Sequence, residues 1–132
     1  MTKQEWKTVD ETLSILLQHV ELEADGYKVD LVLRPVSRWR NAIIVTINGE
    51  FKSAWCSMDC EESRRFFRHR RVCLLSKKDF QKMGLSNVHQ IEVLKKENTI
   101  DLWSRTWTDF RKMKKHFIEN NNNISLIKVS TL

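Results

Sequence analysis

The chain has 132 residues, 41% hydrophobic and 30% charged, with only 3 Gly and 1 Pro, which excludes disordered, collagenous and low-complexity classes and leaves one globular domain over 1–132. No apolar run approaches the ~18 residues of a membrane span, and the opening MTKQEWKTVDE has no apolar leader. Three cysteines without framework spacing suit a reducing compartment, so a cytoplasmic location and no membrane partner are expected. The formal charge of +6 is unevenly placed: residues 1–33 hold three basic side chains against seven acidic, and the other 99 residues hold 20 against ten. The later segments therefore build a basic surface, suited to phosphate backbones or to an acidic protein face, unless it serves only solubility.

Thr2-Lys-Gln-Glu5 has the capping-box pattern, and Trp6, Val9, Leu13, Leu16, Leu17 and Val20 recur at helical intervals, which predicts an amphipathic helix over 3–18. From His19 the period becomes two. Val20, Leu22 and Ala24 alternate up to the Asp25-Gly26 turn, and Tyr27, Val29, Leu31 and Leu33 alternate after it, a β-hairpin that Pro35 ends. Ser37 to Arg40 connects to a β-branched run, Ala42 to Ile47, closed by Asn48-Gly49, after which Phe51 to Cys56 returns antiparallel. The first half thus reads as a helix laid on a four-stranded antiparallel sheet of two hairpins, an α+β class.

The second half reads as basic and mostly helical. A short helix is expected over 60–69, then a brief buried strand Val72 to Leu75, then a helix capped by Ser76 and Asp79 and ended by Gly84. Residues 86 to 104 are ambiguous: His89 to Lys95 and Thr99 to Trp103 fit a hairpin, or the first fits a helical turn. Thr106-Trp-Thr-Asp109 has capping-box form before an apolar face of Trp107, Phe110, Met113, Phe117 and Ile118. Asn120 to Asn123 stops that helix, and Ile124 to Val129 alternates as a candidate edge strand.

The run VCLLS into KKDFQKMG, with the ending FRKMKKHFIENNNNISLIKV, is similar to small uncharacterised proteins encoded by bacteriophages and prophages. The likeness covers about a third of the chain, all in its later half. It implies an accessory role upon a bacterial host, such as host takeover or anti-defence, and carries over no functional residue.

The densest charge is Arg64, Arg65, Arg68, Arg70 and Arg71, around Phe66-Phe67. Guanidinium groups bind phosphates bidentately and stay charged at every relevant pH. Helical spacing would put Arg64, Arg68 and Arg71 on one face, with Arg65 beside them. Arg111, Lys112, Lys114 and Lys115 form a second basic strip on the last helix. Against binding stands a solvated face paired with Glu61, Glu62 and Asp109. Arg38-Trp39-Arg40 sits in a connection, where the Trp can stack on an unpaired base, anchor a protein interface, or fold over the sheet edge. Trp6, Trp55 and Trp107 read as core, and the pattern assigns Trp103 to neither class.

Two enzyme-like or metal-like patterns are weaker. Cys56, Cys60, His69 and Cys73 offer zinc-type ligands at an unusual spacing, and buried reduced cysteines are the commoner fate. Asp30 with Glu50-Phe51-Lys52 resembles the D…(D/E)-x-K residues of a Mg²⁺-dependent nuclease superfamily, but Asn48-Gly49 turns the chain just before Glu50. No phosphate-cradling glycine loop is present, and His19, His69, His89 and His116 are too scattered to suggest a pair. Binding is therefore expected rather than catalysis, with no cofactor or metal: a basic face that engages nucleic acid or a nucleoprotein complex. The competing expectation is a protein-interaction module contacting a host protein, or a homodimer, through Trp39 and sheet-edge residues.

Overall fold

The computed structural model describes residues 1–85 and 87–130. Its α+β architecture comprises α1 (Lys3–Leu13), β1 (His19–Ala24), β2 (Tyr27–Ser37), β3 (Arg40–Ile47), a 3-10 turn at Ser53–Cys56, α2 (Glu61–Phe66) and β4 (Arg68–Cys73), followed by α3 (Lys77–Lys82), α4 (Val88–Glu97), β5 (Thr99–Ser104), β6 (Thr106–Trp107), α5 (Phe110–Asn120) and β7 (Ile124–Val129). Five strands form an antiparallel sheet in the order β6-β3-β2-β1-β7, and β4 pairs with β5 in a separate ribbon. No helix among the described residues is long and apolar enough to cross a membrane.

Thr2 caps α1 through the expected capping box with Glu5. The helix ends at Leu13, five residues short of the expected limit. Leu17 takes a left-handed φ of +64°, and its amide donates to the Leu33 carbonyl at 2.9 Å. The chain thereby drops into the sheet, and Ile15, Leu16 and Leu17 stay exposed. Asp25-Gly26 and Asn48-Gly49 both have positive φ at their two central positions, the conformation that matches hairpin twist.

Pro35 does not end β2. Because the Leu33 carbonyl points toward Leu17, the Pro35 nitrogen points to that same side, beyond His19 where β1 begins, and no ladder bond is lost. The expected fourth strand is absent: Asn48-Gly49 closes only one bridge, Ile47 to Glu50, and residues 53–56 coil into the 3-10 turn. Its place beside β3 goes to β6, which pairs Trp107 with Ile43 and Thr106 with Ile44. Thr106 is thus a strand residue, and Asp109 alone caps α5 by accepting from the amides of Arg111 and Lys112. The expected edge strand forms as β7, antiparallel to β1.

One sheet face is apolar, with Val20, Leu22, Val29, Leu31, Ile43, Val45 and Ile47 buried against Trp6, Val9 and Leu13 of α1 and Met113 and Phe117 of α5. On the opposite face His19, Glu21, Lys28 and Asp30 surround one concavity, and Val32 and Ala42 are buried on that side. Ser76 and Asp79 cap α3 as expected, and Gly84 follows it at φ +70°. The ambiguous stretch resolves into helix α4 and strand β5, not a hairpin.

Candidate nucleic-acid interface

The arginine-rich segment begins as a helix and turns into a strand. Phe66 and Phe67 are both fully buried, but in different places: Phe66 packs on Tyr27 and Phe117, and Phe67 on Phe51 and Trp55. Extended backbone at Phe67, φ −102° and ψ 150°, sends the two rings into these separate clusters and starts β4. The expected helix over 60–69 forms only as far as Phe66, and from Arg68 its single arginine face gives way to the pleat of a strand, whose successive side chains point to opposite faces.

That alternation divides the five arginines. Arg71 shares a face with His69, opposite Asp101 and Trp103 of β5. Arg68 and Arg70 take the other face, opposite Ser104 and Leu102. Arg68 is half-buried, and its Nε has no hydrogen-bond partner among the described residues. Arg65 turns inward: its Nη1 donates to Asp25 at 2.6 Å and Asn121 at 3.1 Å, its Nη2 lies 2.8 Å from Glu61, and its guanidinium lies over the Tyr27 ring. Asp25 also accepts from the amides of Asn122 and Asn123, so Arg65 joins the β1–β2 turn, α2 and the chain entering β7.

Arg64 and Arg71 face one cleft of about 500 Å³, built where α2, the β4–β5 ribbon and α5 meet. Each guanidinium meets a carboxylate that lines the same cleft. Arg64 Nε lies 2.6 Å from Asp59, and Arg71 Nε lies 3.3 Å from Asp101. The terminal Nη groups of both make no hydrogen bond to protein among the described residues, so two guanidinium forks remain open to an oxyanion.

His69 and His116 line the same cleft, joined by Trp103 and Asn120. His69 Nε2 is 2.8 Å from Asp101, and its ring leans on the buried Trp103 ring. The His69 hydrogen bond, then the Arg71 charge, hold the Asp101 carboxyl below its ordinary range. His116 Nε2 lies 2.9 Å from the Arg64 carbonyl oxygen, and burial pushes its imidazole pKa down. Lys112 lies one helical turn before His116, on the same side of α5. Two of the four histidines that look scattered along the chain are thus brought to one cleft by the packing of α5 against α2, which no local spacing announces.

The remaining expected residues lie elsewhere. Trp39 is 86% exposed at the tip of the β2–β3 hairpin, with the Arg38 guanidinium 5.3 Å from its ring centre and exposed Arg40 beside it. Arg111 and Lys115 surround Ile118 on the outer side of α5, Lys115 lies 3.9 Å from Glu119, and the Lys114 ammonium sits over the Trp6 ring. Of the expected core tryptophans, Trp6 and Trp107 are buried and Trp55 is half-buried; Trp103 joins the core.

Cys56, Cys60, His69 and Cys73 are not gathered. Cys60 Sγ contacts the Ser63 hydroxyl, Cys73 ends β4, and His69 is taken by Asp101. Asp30 faces His19 across β1 and β2 at 3.4 Å, and Glu50 and Lys52 are exposed beyond the Asn48-Gly49 turn. Among the described residues no three His, Cys, Asp or Glu side chains are placed to hold a metal ion together.

The fold and the cleft define an α+β protein with paired histidines and open guanidinium forks on one concave surface. No protein-family model, curated protein or solved structure matches the chain.

Proposed function

We propose that the protein binds nucleic acid, alone or within a nucleoprotein complex, through the cleft of Arg64 and Arg71, with Lys112 beside it and Trp39 as a separate stacking contact. The observation that carries this reading is the pair of open forks: both guanidiniums hold Nε near an exposed carboxylate, make no hydrogen bond through Nη among the described residues, and line the same concavity. Such exposed ion pairs contribute little to folding and are readily exchanged for a phosphate. The larger concavity on the opposite sheet face has the same balance of two cations and two carboxylates, but its cations are Lys28 and Lys128, which lack the planar guanidinium that grips a phosphate bidentately. Trp39 supports the same reading, since an exposed indole flanked by arginines can stack on any unpaired base. An accessory role upon a bacterial host, as the sequence leads one to expect, is part of the same proposal.

The test is fluorescence anisotropy of labelled single- and double-stranded RNA and DNA, titrated from low to physiological salt. Binding that survives physiological salt and weakens in an Arg64→Glu, Arg71→Glu double variant is the expected result. Binding indifferent to that double variant would overturn the reading. If nucleic acid does not bind at all, the basic surface belongs to the competing class, contact with an acidic protein.

A further inference from the structure

We propose that this cleft, beyond holding phosphate, cleaves single-stranded RNA without a metal ion, with His116 as the base on the 2′-hydroxyl and His69 as the acid to the departing 5′-oxygen. The inference rests on the reading that a phosphodiester sits between Arg64 and Arg71.

The hydrogen bonds already made by the two imidazoles set their chemistry. A carbonyl oxygen only accepts, so the 2.9 Å contact to Arg64 requires a proton on His116 Nε2. The Asp101 carboxylate only accepts as well, so His69 Nε2 carries a proton in the 2.8 Å contact. Each ring is fixed by that bond and keeps Nδ1 without a partner among the described residues, and both rings line the cleft that the guanidinium forks enter.

The surroundings separate their roles. Burial lowers the His116 pKa, with the positive side of His69 acting in the same direction and Glu119 and the Arg64 carbonyl opposing it. The uncharged Trp107 ring lies 5.3 Å away, and Lys112 stands one helical turn before His116 on α5. Near neutral pH, Nδ1 of His116 therefore offers a lone pair. His69 faces Asp101 and Arg71 from the ribbon, with the Trp103 ring behind it, and Asp59 and Arg64 stand across the cleft. In its imidazolium form its charge is matched by the Asp101 carboxylate, and Nδ1–H is the proton it can give.

The step balances within the substrate and these two side chains. The 2′-oxygen attacks phosphorus and its proton passes to His116 Nδ1, the phosphorus–O5′ bond breaks, and O5′ takes the proton from His69 Nδ1. The products are a 2′,3′-cyclic phosphate and a free 5′-hydroxyl. The Arg64 and Arg71 forks stabilise the charge that builds on the non-bridging oxygens. Because the nucleophile belongs to the ribose, the reaction needs neither bound metal nor a nucleophile from the protein, and DNA is not a substrate.

The experiment uses the full chain in EDTA with a 5′-fluorescein single-stranded RNA, the same sequence as DNA, and the same sequence with 2′-O-methyl riboses. Anisotropy on the 2′-O-methyl strand measures binding, and gel analysis with end-group identification on the RNA measures cleavage. The inference expects cleavage of RNA alone, ends bearing 2′,3′-cyclic phosphate, and a bell-shaped pH profile. His69→Gln and His116→Gln should each lower the rate about 100-fold or more while binding the 2′-O-methyl strand as the natural chain does. Glutamine at 116 retains an N–H for the Arg64 carbonyl, and His69 is exposed, so both variants should fold, with thermal melts as the check. Unchanged binding with no cleavage above buffer, or cleavage in both variants as fast as in the natural chain, overturns the catalytic inference and leaves the binding reading standing. Absence of binding to all three strands overturns both.

Discussion

His116 donates to the Arg64 carbonyl at 2.9 Å, so a side chain of α5 completes the last turn of α2 directly behind the cleft. Its neighbours continue the pattern: Asn121 donates to the Arg65 carbonyl at 3.3 Å and Trp107 Nε1 to the Phe66 carbonyl at 3.0 Å. Three carbonyls left over at the end of a six-residue helix are thus satisfied by three side chains from the β6–α5–β7 segment. Such a short helix has little stability of its own, so its position, and that of Arg64, depends on these bonds.

Removing the His116 donor should therefore weaken folding as well as the site. His116→Phe leaves the Arg64 carbonyl without its partner and should cost about 1–2 kcal/mol in urea denaturation, whereas His116→Gln should cost distinctly less. Equal losses in the two variants would show that the hydrogen bond contributes nothing.

Protonation offers a second view of the same residue. Burial holds the His116 pKa below that of a free imidazole, so the unfolded chain binds the proton more tightly than the folded one. Stability is then greatest above about pH 6.5 and declines as pH falls from there toward the lower folded pKa. The amides of Asn122 and Asn123, then Arg65, hold the Asp25 carboxyl below its ordinary range; its contribution is present above about pH 4 and is lost as pH falls through the depressed value. Melting temperature against pH should fall in two stages, and His116→Gln should abolish only the first. A flat profile between pH 7 and 5 in the natural chain would contradict this.

Arg65, for all its place in the densest basic run, is predicted to matter for folding. Its side chain is 22% exposed and meets Asp25, which is 14% exposed, while also reaching Glu61 and Asn121. Arg65→Leu should destabilise the protein by about 2 kcal/mol, and Arg64→Leu should change stability by less than about 0.5 kcal/mol because its pair with Asp59 is open to solvent. Urea midpoints for the two variants decide it, and similar values would remove the distinction.

At the hairpin tip the expectation reverses. Trp39→Ala should leave the melting temperature unchanged, since the indole is 86% exposed, yet weaken single-stranded RNA binding by about 1–3 kcal/mol. Salt distinguishes the partner class: a stacking and phosphate contact weakens steeply with added salt, whereas an interface between protein surfaces carried by Trp39 would persist. Undiminished RNA affinity in Trp39→Ala would restrict the interface to the cleft.

Local signals identified local structure well. Thr2 with Glu5, Ser76 with Asp79, Asp25-Gly26 and Asn48-Gly49 each specify a cap or turn through bonds made within a few residues, and each forms as the pattern predicts. Alternation in β1 and β2 likewise gives the register and the buried face. What the pattern misplaces depends on distant partners. Phe51 to Cys56 has strand-like residues, but β6, far along the chain, pairs with β3 instead. The helix of the arginine segment stops at Phe66 because Phe66 and Phe67 are claimed by different aromatic clusters. The pairing of His69 with His116, and the inward turn of Arg65, likewise follow from packing across the whole chain.

The most direct test of the account is the affinity of a labelled single-stranded RNA for the natural chain and for the Arg64→Glu, Arg71→Glu variant, measured by anisotropy at physiological salt. The account predicts binding by the natural chain, at least a tenfold loss in the variant, and a salt slope smaller by about 1.4, about 0.7 for each phosphate contact removed from a single strand. An unchanged affinity and slope in a variant that melts like the natural chain would contradict it.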